Sequence, residues 1–119
     1  MKFEGRSRLE IKTQMLLDEA GFDYTTEYIF PNLVASSGRP LRFDFAVFDE
    51  EGNVDFLIEC QGSQHYTAKD GNYRALKAQK YNDTQKRMYC HKNNIPLVFV
   101  EHYEIHSITL EELLKRAGL

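Results

Sequence analysis

Hydrophobic and polar positions alternate most clearly in two neighbouring runs. Over residues 41–48 (LRFDFAVF), Leu41, Phe43, Phe45 and Val47 fall on one side of an extended chain and Arg42, Asp44, Ala46 and Phe48 on the other. Over residues 54–61 (VDFLIECQ), Val54, Phe56, Ile58 and Cys60 oppose Asp55, Leu57, Glu59 and Gln61. The polar turn Asp49-Glu50-Glu51-Gly52-Asn53 joins the runs, so they are expected to pair as antiparallel strands. Residues 24–30 (YTTEYIF) are β-branched and aromatic and predict an earlier strand that ends at Pro31-Asn32. Residues 36–40 (SSGRP) predict a loop. Residues 97–100 are wholly apolar and predict a short buried strand.

Helical periodicity supplies the other elements. Residues 7–20 predict a helix, with Ser7 and Glu10 as a capping box and Gly21 just past its end. Its inner face is expected to be Leu9, Met15, Leu16 and Ala20. After a polar loop over residues 62–72, residues 73–93 lack Gly and Pro and predict a long helix. Ala75, Leu76, Tyr81 and Met88 form its weak apolar stripe, and Pro96 forbids its continuation. Thr109 and Glu112 suggest a second capping box opening a last helix, with Leu110, Leu113 and Leu114 facing inward. The order αβββαβα places a helical crossover between the third and fourth strands, as a parallel pair requires. The expected class is α/β, with a mixed four-stranded sheet flanked by helices.

The 119 residues suit one domain, and 42% hydrophobic content suffices for an ordinary core. No apolar run approaches membrane length and the N-terminus shows no secretory h-region, so no membrane partner is expected. Cys60 and Cys90 do not make a disulfide framework and are read as packing residues in a reduced, cytoplasmic setting. Net charge is −3, which at first argues against nucleic acid. The distribution reverses that argument: residues 69–92 sum to +5 and the remainder to −8. A chain that is acidic overall can still present one basic face to phosphates. Gln64, Lys69, Arg74, Lys77, Lys80, Lys86 and Arg87 are the candidate DNA contacts.

Acidic and amide groups at the ends of apolar strands are the candidate chemistry. Glu59 and Gln61 are two apart on one strand and point the same way, and Asp44 lies on the neighbouring strand. Carboxylates on two paired strands can converge on one hard cation, and Mg²⁺ is usually held by one or two carboxylates with water and phosphate. Asp44 and Glu59 are the expected ligands, with Mn²⁺ as a substitute ion. Such a site fits phosphodiester hydrolysis. Hydrolysis needs a base, and the amide of Gln61 cannot serve, which leaves His65.

Asp44 followed by Glu59-x-Gln61, within an αβββαβ order, resembles the PD-(D/E)XK nuclease fold, also called restriction-endonuclease-like. The string IECQGSQHY, with Glu10 before it and Asp83-Thr84-Gln85-Lys86 after it, is similar to the branch holding very-short-patch repair endonucleases and phage-borne homing endonucleases with an EDxHD pattern. The likeness runs over about residues 7–101. It implies catalytic roles for Glu10, Asp44, His65 and Asp83, with Asp44 the principal metal ligand, and puts Glu59 and Gln61 at the ExK positions. Gln61 replaces the usual lysine there, and no zinc-ligand spacing like that of the repair enzymes is present. The expectation is one nuclease catalytic domain over residues 1–119, carried in a longer chain with an additional DNA-recognition domain. DNA is the expected partner, in a bacterial or phage-infected cell. A homodimer would supply the two active sites a double-strand cut needs. A catalytically inactive nucleic-acid-binding module of the same fold, and a structure-selective DNA or RNA nuclease, are the rival readings.

Overall fold

Ser7 Oγ accepts a hydrogen bond from the Glu10 N–H at 3.1 Å and Glu10 reaches back to the Ser7 N–H at 3.4 Å, so the capping box closes as its sequence implies. It opens α1 (Arg8–Ala20), and Gly21 ends the helix at φ 74, a left-handed conformation that glycine adopts without a Cβ clash. In this computed structural model, which describes residues 6–62 and 73–119, the remaining elements are β1 (Tyr24–Val34), β2 (Pro40–Phe48), β3 (Val54–Gln61), α2 (Tyr73–Lys92), β4 (Leu97–Glu101) and α3 (Leu110–Arg116). A 3₁₀ turn, His102–Glu104, follows β4.

The strands form one sheet in the order β1-β2-β3-β4. The β1–β2 and β2–β3 pairs are antiparallel and β3–β4 is parallel. The α/β class, the mixed four-stranded sheet and the helical crossover therefore agree with the sequence. β1 runs past Pro31, which was expected to end it. As an edge strand, β1 needs a partner on one side only, and Pro31 sits in the irregular stretch between Ile29 and Val34 where pairing is interrupted.

Both faces of the sheet are covered. On one, α1, α3 and Ile108 bury Leu9, Leu17 and Leu113 against Phe45, Val47, Phe56, Ile58, Val98 and Val100. On the other, Cys90 of α2 joins Leu33, Leu41, Phe43, Ala46 and Leu57. The expected faces change in three places. In α1 the buried line is Leu9, Thr13 and Leu17, with Gln14 beside it, while Met15 and Ala20 are exposed. Thr13 belongs to the core because its hydroxyl donates to the Leu9 carbonyl, which satisfies it internally. In α2 the expected stripe holds only at Leu76: Ala75, Tyr81 and Met88 face solvent, and Gln79, Asp83, Lys86 and Cys90 turn inward with Leu76. In β2, Leu41 and Phe43 pack on the α2 side but Phe45 and Val47 on the α1 side, so the strand exchanges faces at Asp44.

Thr109 caps α3 by accepting from the Glu112 N–H at 3.2 Å, and the Glu112 carboxylate pairs with Arg116 at 3.6 Å. Cys60 is half-buried and Cys90 buried, both as free thiols. No helix among the described residues is long and apolar enough to cross a membrane.

Candidate active site

Backbone pairing between β2 and β3 runs through Phe48, Val47, Ala46 and Phe45 and stops at Phe45–Ile58. One residue further the strands part. Their backbone N–H groups must then find other acceptors, because an unpaired buried amide costs about as much as a lost hydrogen bond. Two carboxylates supply them. The Asp44 N–H donates to Glu59 Oε1 at 3.0 Å, and the Cys60 N–H donates to Asp44 Oδ2 at 2.7 Å. Asp44 and Glu59 are thus held by each other's strands.

A third charge comes from α2. Lys86 Nζ donates to Glu59 Oε2 at 2.9 Å and lies 5.3 Å from the centre of the Phe43 ring. Glu59 is 5% exposed and Lys86 9% exposed, so this is a buried ion pair. Lys86 was expected on the outer, phosphate-facing surface of α2. It is instead a component of the site, because its helical position lies on the inward line with Gln79, Asp83 and Cys90. Cys60, on the other side of β3, sits with its Sγ 3.6 Å from Thr13 Oγ1 of α1.

Burial dominates the electrostatics. It pushes the Asp44 carboxyl up from its ordinary range; Glu10 adds to the rise, and the Cys60 N–H, Lys86 and Arg6 oppose it. Burial also pushes Glu59 up, reinforced by the Asp44 charge and opposed by Lys86. Burial and Asp44 push the Cys60 thiol up as well, so it stays protonated and is a poor metal ligand or nucleophile. One ammonium therefore faces two carboxylates that both favour losing their charge. A bound divalent cation would reverse that preference.

Glu10 lies on α1, where its carboxylate completes the cap and accepts from Arg6 at 3.3 Å. It is close enough to Asp44 to repel its charge. Asp83 sits half-buried on the inward line of α2, three residues before Lys86. Gln61 is buried at the end of β3, opposite Glu101 of β4. Asp44, Glu59 and Lys86 thus meet from β2, β3 and α2, with Glu10 of α1 near Asp44, while Gln61 lies two residues beyond Glu59 and Asp83 about one turn before Lys86. His65, Gln64 and Lys69 lie outside the described residues. Arg74, Lys77 and Lys80 are exposed on α2, whereas Arg87 stacks over the Phe99 ring at 3.9 Å.

The donor set can be tested against a hard cation. Among the described residues Asp44 Oδ1 accepts no hydrogen bond, while both Glu59 oxygens are occupied. Each carboxylate oxygen carries two lone pairs, so both Asp44 and Glu59 keep acceptor capacity beside the single donors they hold, with Asp44 Oδ1 the more open among the described residues. No group of three or more His, Cys, Asp or Glu side chains with metal-holding geometry occurs among the described residues. One or two carboxylates suffice for Mg²⁺, which keeps several waters, so the set fits that ion and not a fully protein-caged one.

Sequence reasoning named Lys86 only as a DNA contact, missing its pairing with Glu59, and missed the inward polar line of α2. The signal was present: Gln79, Asp83, Lys86 and Cys90 follow helical spacing i, i+4, i+7 and i+11. A search for apolar periodicity discards it. No protein-family model, curated protein or solved structure matches the chain.

Proposed function

We propose that this protein is a metal-dependent DNA endonuclease that hydrolyses phosphodiester bonds, with a restriction-endonuclease-like catalytic domain. The observation that carries this reading is the triad of half-buried Asp44 with buried Glu59 and Lys86. Three charged groups from three elements, held where two strands part, are costly to bury and contribute little to stability that apolar residues would not. The αβββαβα order with its mixed sheet supports the same reading.

In this account Asp44 would be the principal ligand of Mg²⁺ or Mn²⁺, and Glu59 would help to hold the ion. When bound, the ion would lower the pKa of water and offset charge on the scissile phosphate. Lys86 brings an ammonium to the place that Gln61 leaves without one. It offsets negative charge that develops on the phosphate oxygens. Glu10 and Asp83 flank the triad from the two helices and orient it, and His65 takes the proton from the attacking water. Gln61 and Gln64 hydrogen-bond around the substrate.

The substrate track lies along α2. Lys86 is thirteen residues from Tyr73, roughly 20 Å along the axis, and no residue of 73–85 is buried. Arg74, Lys77 and Lys80 are exposed over this length and lead toward the triad, and Lys69 precedes them.

A second reading is favoured by one observation: Lys86 already pairs with Glu59 Oε2 and supplies the positive charge that a metal would otherwise bring. On that reading the protein is a nucleic-acid-binding module with a closed site. The deciding experiment offers duplex, single-stranded and branched DNA, and RNA, with Mg²⁺ or with EDTA. Mg²⁺-dependent strand cleavage of any DNA supports the endonuclease, and cleavage of RNA alone points to the ribonuclease variant. Salt-sensitive binding without cleavage of any of them supports the binding module.

A further inference from the structure

At Glu27 the backbone of β1 is left-handed, with φ 52. The register places it opposite Asp44, because Thr26 pairs with Phe45 and Tyr28 with Phe43 on either side. Residues two apart on a regular strand face the same way. Here they do not. Phe43 packs with Phe30 and Tyr28 on the α2 side, and Phe45 packs with Tyr24 on the α1 side. Both β1 and β2 exchange faces at this one level. β3 keeps its alternation: Leu57 and Glu59 face α2, while Ile58 and Cys60 face α1. A strand that turns over beside one that does not must lose its pairing. The β2–β3 ladder ends at that point, and the freed N–H groups of Asp44 and Cys60 are taken by the Glu59 and Asp44 carboxylates.

We propose that the left-handed backbone at Glu27 is the positioning device of the candidate site, turning β2 over so that the Asp44 carboxylate meets the Cys60 N–H. The side chain of Glu27 does not account for the conformation. Among the described residues it reaches only Arg42, at 3.4 Å, and both side chains are 67% exposed. A glutamate with positive φ is strained whatever its neighbours. Strain of this kind persists where surrounding structure over-determines it, and here the aromatic groups Tyr24–Phe45 and Phe30–Phe43 hold it from opposite sides of the sheet. Only its consequence for cleavage rests on the endonuclease reading.

The test is a substitution series at position 27 with three readouts: hydrogen exchange of the Cys60 amide, thermal midpoint, and Mg²⁺-dependent DNA cleavage resolved into kcat and KM. Glu27→Gly and Glu27→Asn accept positive φ. They are expected to keep Cys60 amide protection and kcat, with a midpoint equal to or above wild type. Glu27→Gln removes the charge and leaves the backbone demand unchanged, so all three readouts should stay at wild-type values. Glu27→Val resists positive φ, and it should speed Cys60 exchange about tenfold or more and lower kcat by a similar factor. KM for DNA should hold, because the basic surface of α2 is untouched. Should Glu27→Val fail to fold, Glu27→Thr gives the same comparison from a smaller β-branched residue. Wild-type Cys60 protection in a folded β-branched variant, or its loss in Glu27→Gly, overturns the proposal. Wild-type cleavage by Asp44→Asn would overturn the endonuclease reading instead, and Cys60 exchange would still decide the positioning claim.

Discussion

Against one face of the sheet, α1, α3 and the segment before α3 bring Leu9, Leu17, Ile108 and Leu113 onto Phe45, Val47, Phe56 and Ile58. Against the other, α2 brings Gln79, Asp83 and Lys86 as well as Cys90. Each large side chain on the first face contributes about 1.5–3 kcal/mol by leaving water. The second face also has an apolar floor, in Phe43, Ala46 and Leu57, but it ends in a buried ion pair. A buried pair of this kind seldom improves on well-packed apolar residues. The contrast separates a face organised for stability from one that gives up stability for a charged site.

Deepening the difference is the first way to test it. Phe56→Ala, in the apolar face, should lower unfolding free energy by about 3–5 kcal/mol, measured by urea titration, with little dependence on pH. Lys86→Ala should cost about 3 kcal/mol at pH 8, where it strands a buried carboxylate. That cost should shrink at pH 5, as Glu59 takes up a proton. Replacing the pair together, Lys86→Met with Glu59→Leu, should be neutral or stabilising by up to ~4 kcal/mol, yet abolish DNA cleavage. A double variant that is both destabilised and active would erase the distinction between the faces.

The pH dependence of the wild type gives a smaller effect with a definite sign. The folded state raises the Asp44 and Glu59 carboxyls above their ordinary values of 3.8 and 4.5. The native state therefore holds these protons more tightly than the unfolded chain. Their contribution is fully present below the ordinary values, 3.8 for Asp44 and 4.5 for Glu59, and is lost as pH rises through the raised folded values. Glu104, lowered by its hydrogen bond from Arg116, acts in the opposite sense and loses its contribution as pH falls below 4.5. Glu59→Gln should thus gain stability relative to wild type as pH rises above 4.5, read from urea midpoints at each pH. A constant difference would mean that Glu59 is not perturbed in the fold.

The smallest expected effect separates the two kinds of basic residue on α2. Arg87→Ala should cost about 1 kcal/mol of stability through its lost stacking on Phe99 and leave the salt dependence of DNA binding unchanged. Lys77→Ala should leave stability unchanged and reduce the slope of log K against log salt by about 0.9.

Much of the fold was legible in the sequence, and the reasons are local. The Ser7–Glu10 cap, Gly21 and the Asp49–Asn53 turn act within a few residues, so their patterns carry their own explanation. The antiparallel β2–β3 pair and the parallel β3–β4 pair followed from turn length and crossover. The site was legible in part. Asp44 and Glu59 stood out as acids in apolar strands, and they do meet. Lys86 did not stand out, because its role depends on which side of α2 faces the sheet. Apolar periodicity placed that side on Ala75, Tyr81 and Met88. The turnover of β2 at Asp44 was hidden for a related reason. Leu41, Phe43, Phe45 and Val47 are apolar without a break and so read as one face, and the cause lies on a different strand, at Glu27.

The account stands or falls on whether the parted end of β2 and β3 is a hydrolytic site. Supercoiled plasmid incubated with wild-type protein and with Asp44→Asn, in Mg²⁺ and in EDTA, measures this directly once thermal melts show both proteins folded. The predicted result is strand cleavage by the wild type in Mg²⁺ alone, and a loss of about 10³-fold in Asp44→Asn, equivalent to several kcal/mol of transition-state stabilisation. Cleavage by Asp44→Asn at the wild-type rate, or no cleavage by a folded, DNA-binding wild type in Mg²⁺, would contradict it.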